Sequence, residues 1–155
     1  MDAAERERLI DRYRDGVRAV HDAIVDITDD DLDRTPSDGG WTARMVLHHL
    51  ADSEMTSAIR LRRLLVEDAA DIAAYDEEEF ARRLRYDLRD VGPALKAFEA
   101  ARGTSAQLLS LLDSDDWSRT GSHPEHGSYS VEDWLRIYAA HAHDHADQIR
   151  RASAP

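Results

Sequence analysis

The sequence predicts an all-α protein, a four-helix bundle. Three observations carry that expectation. Apolar residues recur at three- and four-residue steps in four long segments. The connectors between them run ten to twenty residues and hold Gly, Pro and Asp. No segment shows sustained strand alternation.

The first helix is expected over Asp2–Ile27, where Leu9/Ile10, Tyr13, Val17, Val20, Ile24 and Ile27 form the apolar stripe. Arg and Asp share its opposite face within i,i+4 reach. His21 sits at the edge of the stripe as a boundary histidine. Thr28–Gly40 reads as a connector. Its acidic run invites a calcium loop, but counting from Asp29 puts Arg34 where that loop needs Gly and Gly40 where it needs Glu. A solvated turn is the reading that remains.

Trp41 and Thr42 open the second helix, with Thr42 as N-cap and Trp41/Val46 as a hydrophobic staple. It runs to about Val66, with Val46, Leu47, Leu50, Met55, Ala58, Leu61 and Leu65 on its apolar side. His49 lies off the centre of that stripe, on a side lined by Ser53, Thr56 and Ser57, which faces water or walls a polar cavity. His48 points towards the Met55 side. Periodicity does not choose between these adjacent histidines.

Glu67–Glu78 is a second connector. The third helix is expected from about Glu78, carrying Phe80, Leu84, Leu88 and Val91. Gly92-Pro93 should then kink or break it, because proline disfavours helix at the preceding residue. Helix resumes through Leu95, Phe98, Ala101, Ser105, Leu108/Leu109 and Leu112. Asp113–Tyr129 reads as irregular, with room for some extended pairing in Trp117–Tyr129.

The last helix, Ser130–Arg151, carries the chemistry. Ser130 and Asp133 form a weaker version of a capping box. The stripe is Trp134, Tyr138, His141, His145 and Gln148/Ile149. His141 and His145, four residues apart, place two imidazoles one turn apart on the face that should be buried. Inward histidines need partners. They are either metal ligands or core-edge residues hydrogen-bonded to neighbours. A three-histidine site leaves an open position for catalysis. His143 points elsewhere and reads as surface. His123 and His126 lie in a Gly/Pro-containing loop; they could edge an active-site mouth, but solvated loop residues are the preferred reading.

Composition narrows the classes. The chain has 155 residues, enough for one domain with its own core, expected over 1–155. It holds no cysteine, which excludes disulfides, thiolate metal sites and a cysteine nucleophile, so any tightly held metal must use His, Asp or Glu. The net charge of −12 argues against nucleic acid. Lys96 is the only lysine and sits among surface-type residues, which weighs against Schiff-base chemistry. No apolar run approaches the roughly 20 residues of a membrane span, and Met1–Glu7 lacks a signal segment, so a cytoplasmic protein is expected.

Four stretches resemble one family. Trp41–Met55 (WTARMVLHHLADSEM) is similar to the signature of the DinB-like superfamily, closest to its YfiT-type branch. Tyr75-Asp76-Glu77, His123-Pro124-Glu125-His126-Gly127 and Tyr138–His145 fit the same branch, in the same order, over roughly Leu9–Arg151. That branch includes bacillithiol transferases and proteins named as metal-dependent hydrolases. The resemblance implies a four-helix bundle, often a homodimer, holding one divalent metal, Zn²⁺ or Ni²⁺, on three histidines. By motif position these are His49, His141 and His145. It turns Ser53 and Thr56 into cavity wall.

The implied activity is transfer of a small thiol, bacillithiol or mycothiol, to an electrophile. The alternatives are hydrolysis by a metal-activated water, or a non-catalytic metal-binding stress-response bundle. Asp52, one turn from His49, is a candidate base or support for a ligand, and equally an exposed carboxylate. The substrate is expected to be a small molecule.

Overall fold

The computed structural model describes every residue except Asp38 and Pro155. Asp38, in the first connector, and Pro155, at the end of the expected domain, lie outside the described residues.

Helix α1 spans Ala3–Ile24, opened by the Asp2 carboxylate accepting the Glu5 amide at 2.8 Å. It stops three residues before the expected Ile27. The reason is local: Thr28 and Asp31 satisfy each other's backbone amides in a capping box and start a separate four-residue helix, α2, Asp29–Leu32. Val25 is left exposed, whereas Leu32 folds back into the core.

Helix α3, Ala43–Val66, begins on the Thr42 cap as expected. Its buried side runs through Leu50, Glu54, Ser57, Leu61 and Leu64; Met55, read as apolar-side, is exposed. A two-residue strand, β1 (Ala70–Asp71), and helix α4 (Glu77–Arg83) follow. Helix α5 is Val91–Leu109.

The expected break at Gly92-Pro93 is absent, and the chain turns earlier. Arg85 adopts φ 54°, and Leu84 and Leu88 are exposed rather than on a packed stripe. Asp90 caps α5 through the Gly92 amide at 3.0 Å. Pro93 is then the third residue of the helix, where a missing N–H costs nothing because first-turn amides have no intrahelical acceptor.

Helix α6 (Ser114–Trp117) leads to strands β2 (Thr120–His123) and β3 (Gly127–Ser130), and α7 spans Val131–Ser153 on the expected Ser130/Asp133 capping box. The strands make a small sheet in the order β1-β2-β3. β1 pairs parallel with β2, Ala70 opposite Gly121, and β2 pairs antiparallel with β3, His123 opposite Gly127. Gly121 is required here: a Cβ would sit 2.5 Å from the Ala70 carbonyl oxygen. The stretch expected to be irregular is therefore a hairpin, closed at Gly127 with φ +69°.

Helices α1, α3, α5 and α7 form the bundle. Arg102 of α5 ties all four together. Its Nε donates to the Tyr13 carbonyl at 2.7 Å, its Nη2 to the Tyr138 carbonyl at 2.8 Å, and its Nη1 to the Glu54 carboxylate. The Tyr13 hydroxyl also donates to Glu54. Above and below this polar tie the core is apolar, around Trp134, Leu61 and Leu109 in one cluster and Leu47, Phe98 and Ile149 in the other. Among the described residues no helix is long and apolar enough to cross a membrane.

Candidate metal centre

The two adjacent histidines of α3 part company. The His48 ring stacks on Tyr86 with centres 5.6 Å apart, and its Nε2 donates to the Arg89 carbonyl at 3.1 Å. It pins the turn before α5. His49 turns the other way, towards α7, with Trp41 packed at 5.2 Å.

There it meets His141 and His145. The three offer ligand nitrogens that all lie within 4.8 Å of one another. Ring centres are 5.3 Å apart for His49–His141, 4.6 Å for His49–His145 and 4.4 Å for His141–His145. The Nε2 atoms of His49 and His141 are 3.3 Å apart. Two imidazoles on a tetrahedral ion, at about 2.0–2.1 Å each, would sit about 3.3–3.4 Å apart. The spacing fits a shared cation.

The protonation states agree. Burial, then the nearby His145, pushes His49 down to about 3. Burial, then His145, His49 and Arg102, holds His141 well below the ordinary 6.5. Burial also lowers His145, against a hydrogen bond to Gln148 and the charge of Asp144 that raise it. Neutral imidazole is the ligating form. The Nδ1–H of His145 donates to Gln148 Oε1 at 2.7 Å, which leaves Nε2 with the lone pair and fixes the ring. The buried Nδ1 atoms of His49 and His141 have no hydrogen-bond partner among the described residues.

Asp52 is placed elsewhere. Its Oδ2 accepts from the Tyr86 hydroxyl at 2.6 Å, and Arg89 lies 3.9 Å away. The Tyr86 ring meets Trp41 edge-on at 6.4 Å, so Asp52 reaches His49 only through two aromatic rings. Ser53 is buried and lines a cavity beside His141, whereas the Thr56 hydroxyl bonds back to the Asp52 carbonyl and does not line it.

That cavity, about 160 Å³, was foreseen from the sequence only at its Ser53 wall. Its wall holds Arg60, Tyr75, Glu77, His123, His126, Tyr129 and Tyr138 beside Ser53 and His141. His123 and His126, read as solvated loop residues, belong to it because the β2–β3 hairpin folds over the bundle. His123 is only 5 % exposed. With Glu125 they bring a second set of ligand atoms within 4.8 Å. The His123 Nδ1 already accepts the Glu125 amide at 3.2 Å, however, and Glu125 and His126 are exposed. The three-imidazole group is the better cation site. His143, read as surface, is partly buried and donates to the Arg12 carbonyl at 3.0 Å. The signal for the cavity lay in the His-Pro-Glu-His-Gly stretch, a tight turn carrying two histidines.

Burial, with the charges of Glu78 and Glu125, holds the Glu77 carboxyl above its ordinary 4.5, with Arg60 opposing. Burial raises Tyr75 to about 12.

Comparison with known proteins gives a consistent picture. The family model described as DinB superfamily matches residues 6–149. A protein of Oceanobacillus iheyensis named "Putative metal-dependent hydrolase" is 37 % identical over 140 residues, covering 90 % of this chain and 81 % of the relative. "Putative metal-dependent hydrolase YfiT" of Bacillus subtilis is 34 % identical over 132 residues, 84 % of this chain and 74 % of that one. The solved structure of YfiT, described as having an unusual four-helix bundle topology, superposes with a TM-score of 0.91 at 30 % identity over 99 % of this chain and 88 % of the other.

Proposed function

The chain belongs to the DinB superfamily, and from that membership we propose a metal-dependent enzyme in which His49, His141 and His145 hold one divalent cation, Zn²⁺ or Ni²⁺, and a small amide or ester is hydrolysed in the adjoining cavity. The observation that supports this reading is the 3.3 Å separation of two neutral imidazole nitrogens with a third ring beside them. Such a cation supplies Lewis acidity and lowers the pKa of a water or thiol in its vacant position.

The chain supplies the rest. Gln148 keeps the His145 ring in the tautomer whose Nε2 is free. Trp41 covers the outer side of His49, which favours a dry centre. Glu77, with its proton affinity raised by burial, is the proton acceptor on the cavity wall. Asp52 braces Tyr86 and, through it, Trp41.

A second reading, thiol S-transfer, is favoured by the absence of cysteine from the chain and by the resemblance to bacillithiol transferases. We also infer a cytoplasmic homodimer acting on a small molecule; the net charge of −12 supports a role apart from nucleic acid. The test loads the protein with Zn²⁺ or Ni²⁺ and offers nitrophenyl esters alone, then bacillithiol or mycothiol with an electrophile. Ester cleavage lost in His49→Ala supports hydrolysis. Conjugates formed only with thiol, and lost in the same variant, move the assignment to transfer. Neither, at full metal content, leaves a non-catalytic metal-binding bundle.

A further inference from the structure

Tyr138 stands one turn before His141 on α7, with ring centres 5.7 Å apart, and lines the same cavity. Its phenol oxygen accepts a hydrogen bond from Arg60 Nη1 at 3.1 Å. The phenol's own proton remains to be given, and among the described residues no acceptor takes it. Arg60 is itself held, donating from Nη2 to the Ala73 carbonyl at 2.5 Å. A cation bonded to a phenol oxygen polarises the O–H and makes it a stronger donor.

His123 adds a second neutral donor. Its Nδ1 accepts the Glu125 amide, so the neutral ring carries its proton on Nε2. Glu77 and Glu125 also line the cavity; both residues are open to solvent, though the Glu77 carboxyl is partly desolvated. Two carboxylates there repel multiply charged anions.

We propose that Tyr138, Arg60 and His123 form an oxyanion subsite beside the three-histidine centre, and that it takes the oxygen of a neutral or singly charged carbonyl compound as negative charge develops on it. The Tyr138 hydroxyl touches that oxygen. Arg60 is a positioning residue acting through the phenol. Polyphosphates and nucleotides are excluded by the carboxylates. The inference rests on the metal-dependent reading above and adds to it hydrogen-bond donors for the negative charge that develops on the carbonyl oxygen.

The test uses the metal-loaded full chain with acetate as probe, read by NMR titration of the Arg60 and His123 side-chain N–H signals, with metal content and melting temperature measured for each variant. Tyr138→Phe is expected to weaken acetate about tenfold or more at unchanged metal content. Arg60→Gln should weaken it similarly, Arg60→Lys should restore much of that loss, and the double variant should lose little more than either single. Acetate affinity unchanged in Tyr138→Phe, or no acetate binding to the wild type, overturns the subsite and leaves the metal reading standing. A wild type without bound metal removes the metal reading, whereas acetate affinity still falling in Tyr138→Phe keeps the subsite.

Discussion

Replacing Arg102 by methionine tests the tie that holds the four helices. Arg102 and Glu54 are 1 % and 0 % exposed at their side chains. Burial pushes the Glu54 carboxyl up, while Arg102, Tyr13 and Ser57 pull it back down. Methionine keeps much of the arginine's bulk but removes every donor. Glu54 keeps only the hydroxyls of Tyr13 and Ser57, and the carbonyls of Tyr13 and Tyr138 lose the arginine. Breaking a buried pair from one side costs about 3–5 kcal/mol. At about 2–4 °C per kcal/mol for a domain of this size, the melting temperature should fall by about 6–20 °C. Urea and thermal unfolding by circular dichroism read both quantities. Adding Glu54→Leu should recover a large part of the loss, since the stranded charge goes with it. A loss below about 1 kcal/mol in the single variant, or no recovery in the double, would refute the assignment of the penalty to an unpaired buried carboxylate.

Other outcomes follow from the same geometry. Gly16→Ala should destabilise by about 1–3 kcal/mol despite its better helix propensity, because its Cβ would lie 2.7 Å from Arg102 Nη2 and 2.8 Å from the Ala142 Cβ. Gly103→Ala in α5, where no atom lies within 4 Å of the added Cβ, should instead stabilise by up to about 1 kcal/mol; equal effects in denaturant melts would contradict both. Gly121→Ala should push β2 from β1, and hydrogen exchange at the Ile72 amide, which donates to the Ser122 carbonyl at 2.8 Å, should speed up. Acid should weaken the metal-free protein in two stages. Groups with folded pKa values below their unfolded ones contribute stability that is present above the unfolded value and lost as pH falls. For His49 that loss starts near 6.5 and continues towards about 3. For Asp31, held near 2 by Thr28 and then Arg34, it starts near 3.8. Melting temperatures that stay flat from pH 6.5 to 4.5 would contradict the first stage.

Much of the bundle could be read from the chain because its cues are local. The Thr42 cap, the Ser130/Asp133 box and the 134-138-141-145 stripe each need only neighbouring residues. What escaped reading depends on distant partners. β1 is two residues long and exists only because Gly121, some fifty residues on, lets the backbones meet. The hairpin that brings His123 to the cavity depends on that pairing. Gly92-Pro93 misled because a proline in a first turn and one in a helix interior look alike until the cap is known. Taken one at a time, Arg102 and Glu54 give no sign of burial. Yet Glu54 lies between Leu50 and Leu61 on one packed seam and Arg102 between Phe98 and Leu109 on another, a pattern that asks for pairing. The choice of His49 over His48 came from the family resemblance alone. In the structure it is the turn of the His49 ring towards α7 that separates them.

The central claim is that three imidazoles from two distant helices share one divalent ion. X-ray absorption spectroscopy with elemental analysis, on protein purified without a histidine tag, addresses it directly. The account predicts about one equivalent of Zn²⁺ or Ni²⁺ with three nitrogen neighbours at about 2.0–2.1 Å, falling away in His145→Ala. Less than about a tenth of an equivalent in the wild type, unchanged by that substitution and by added metal, would contradict it.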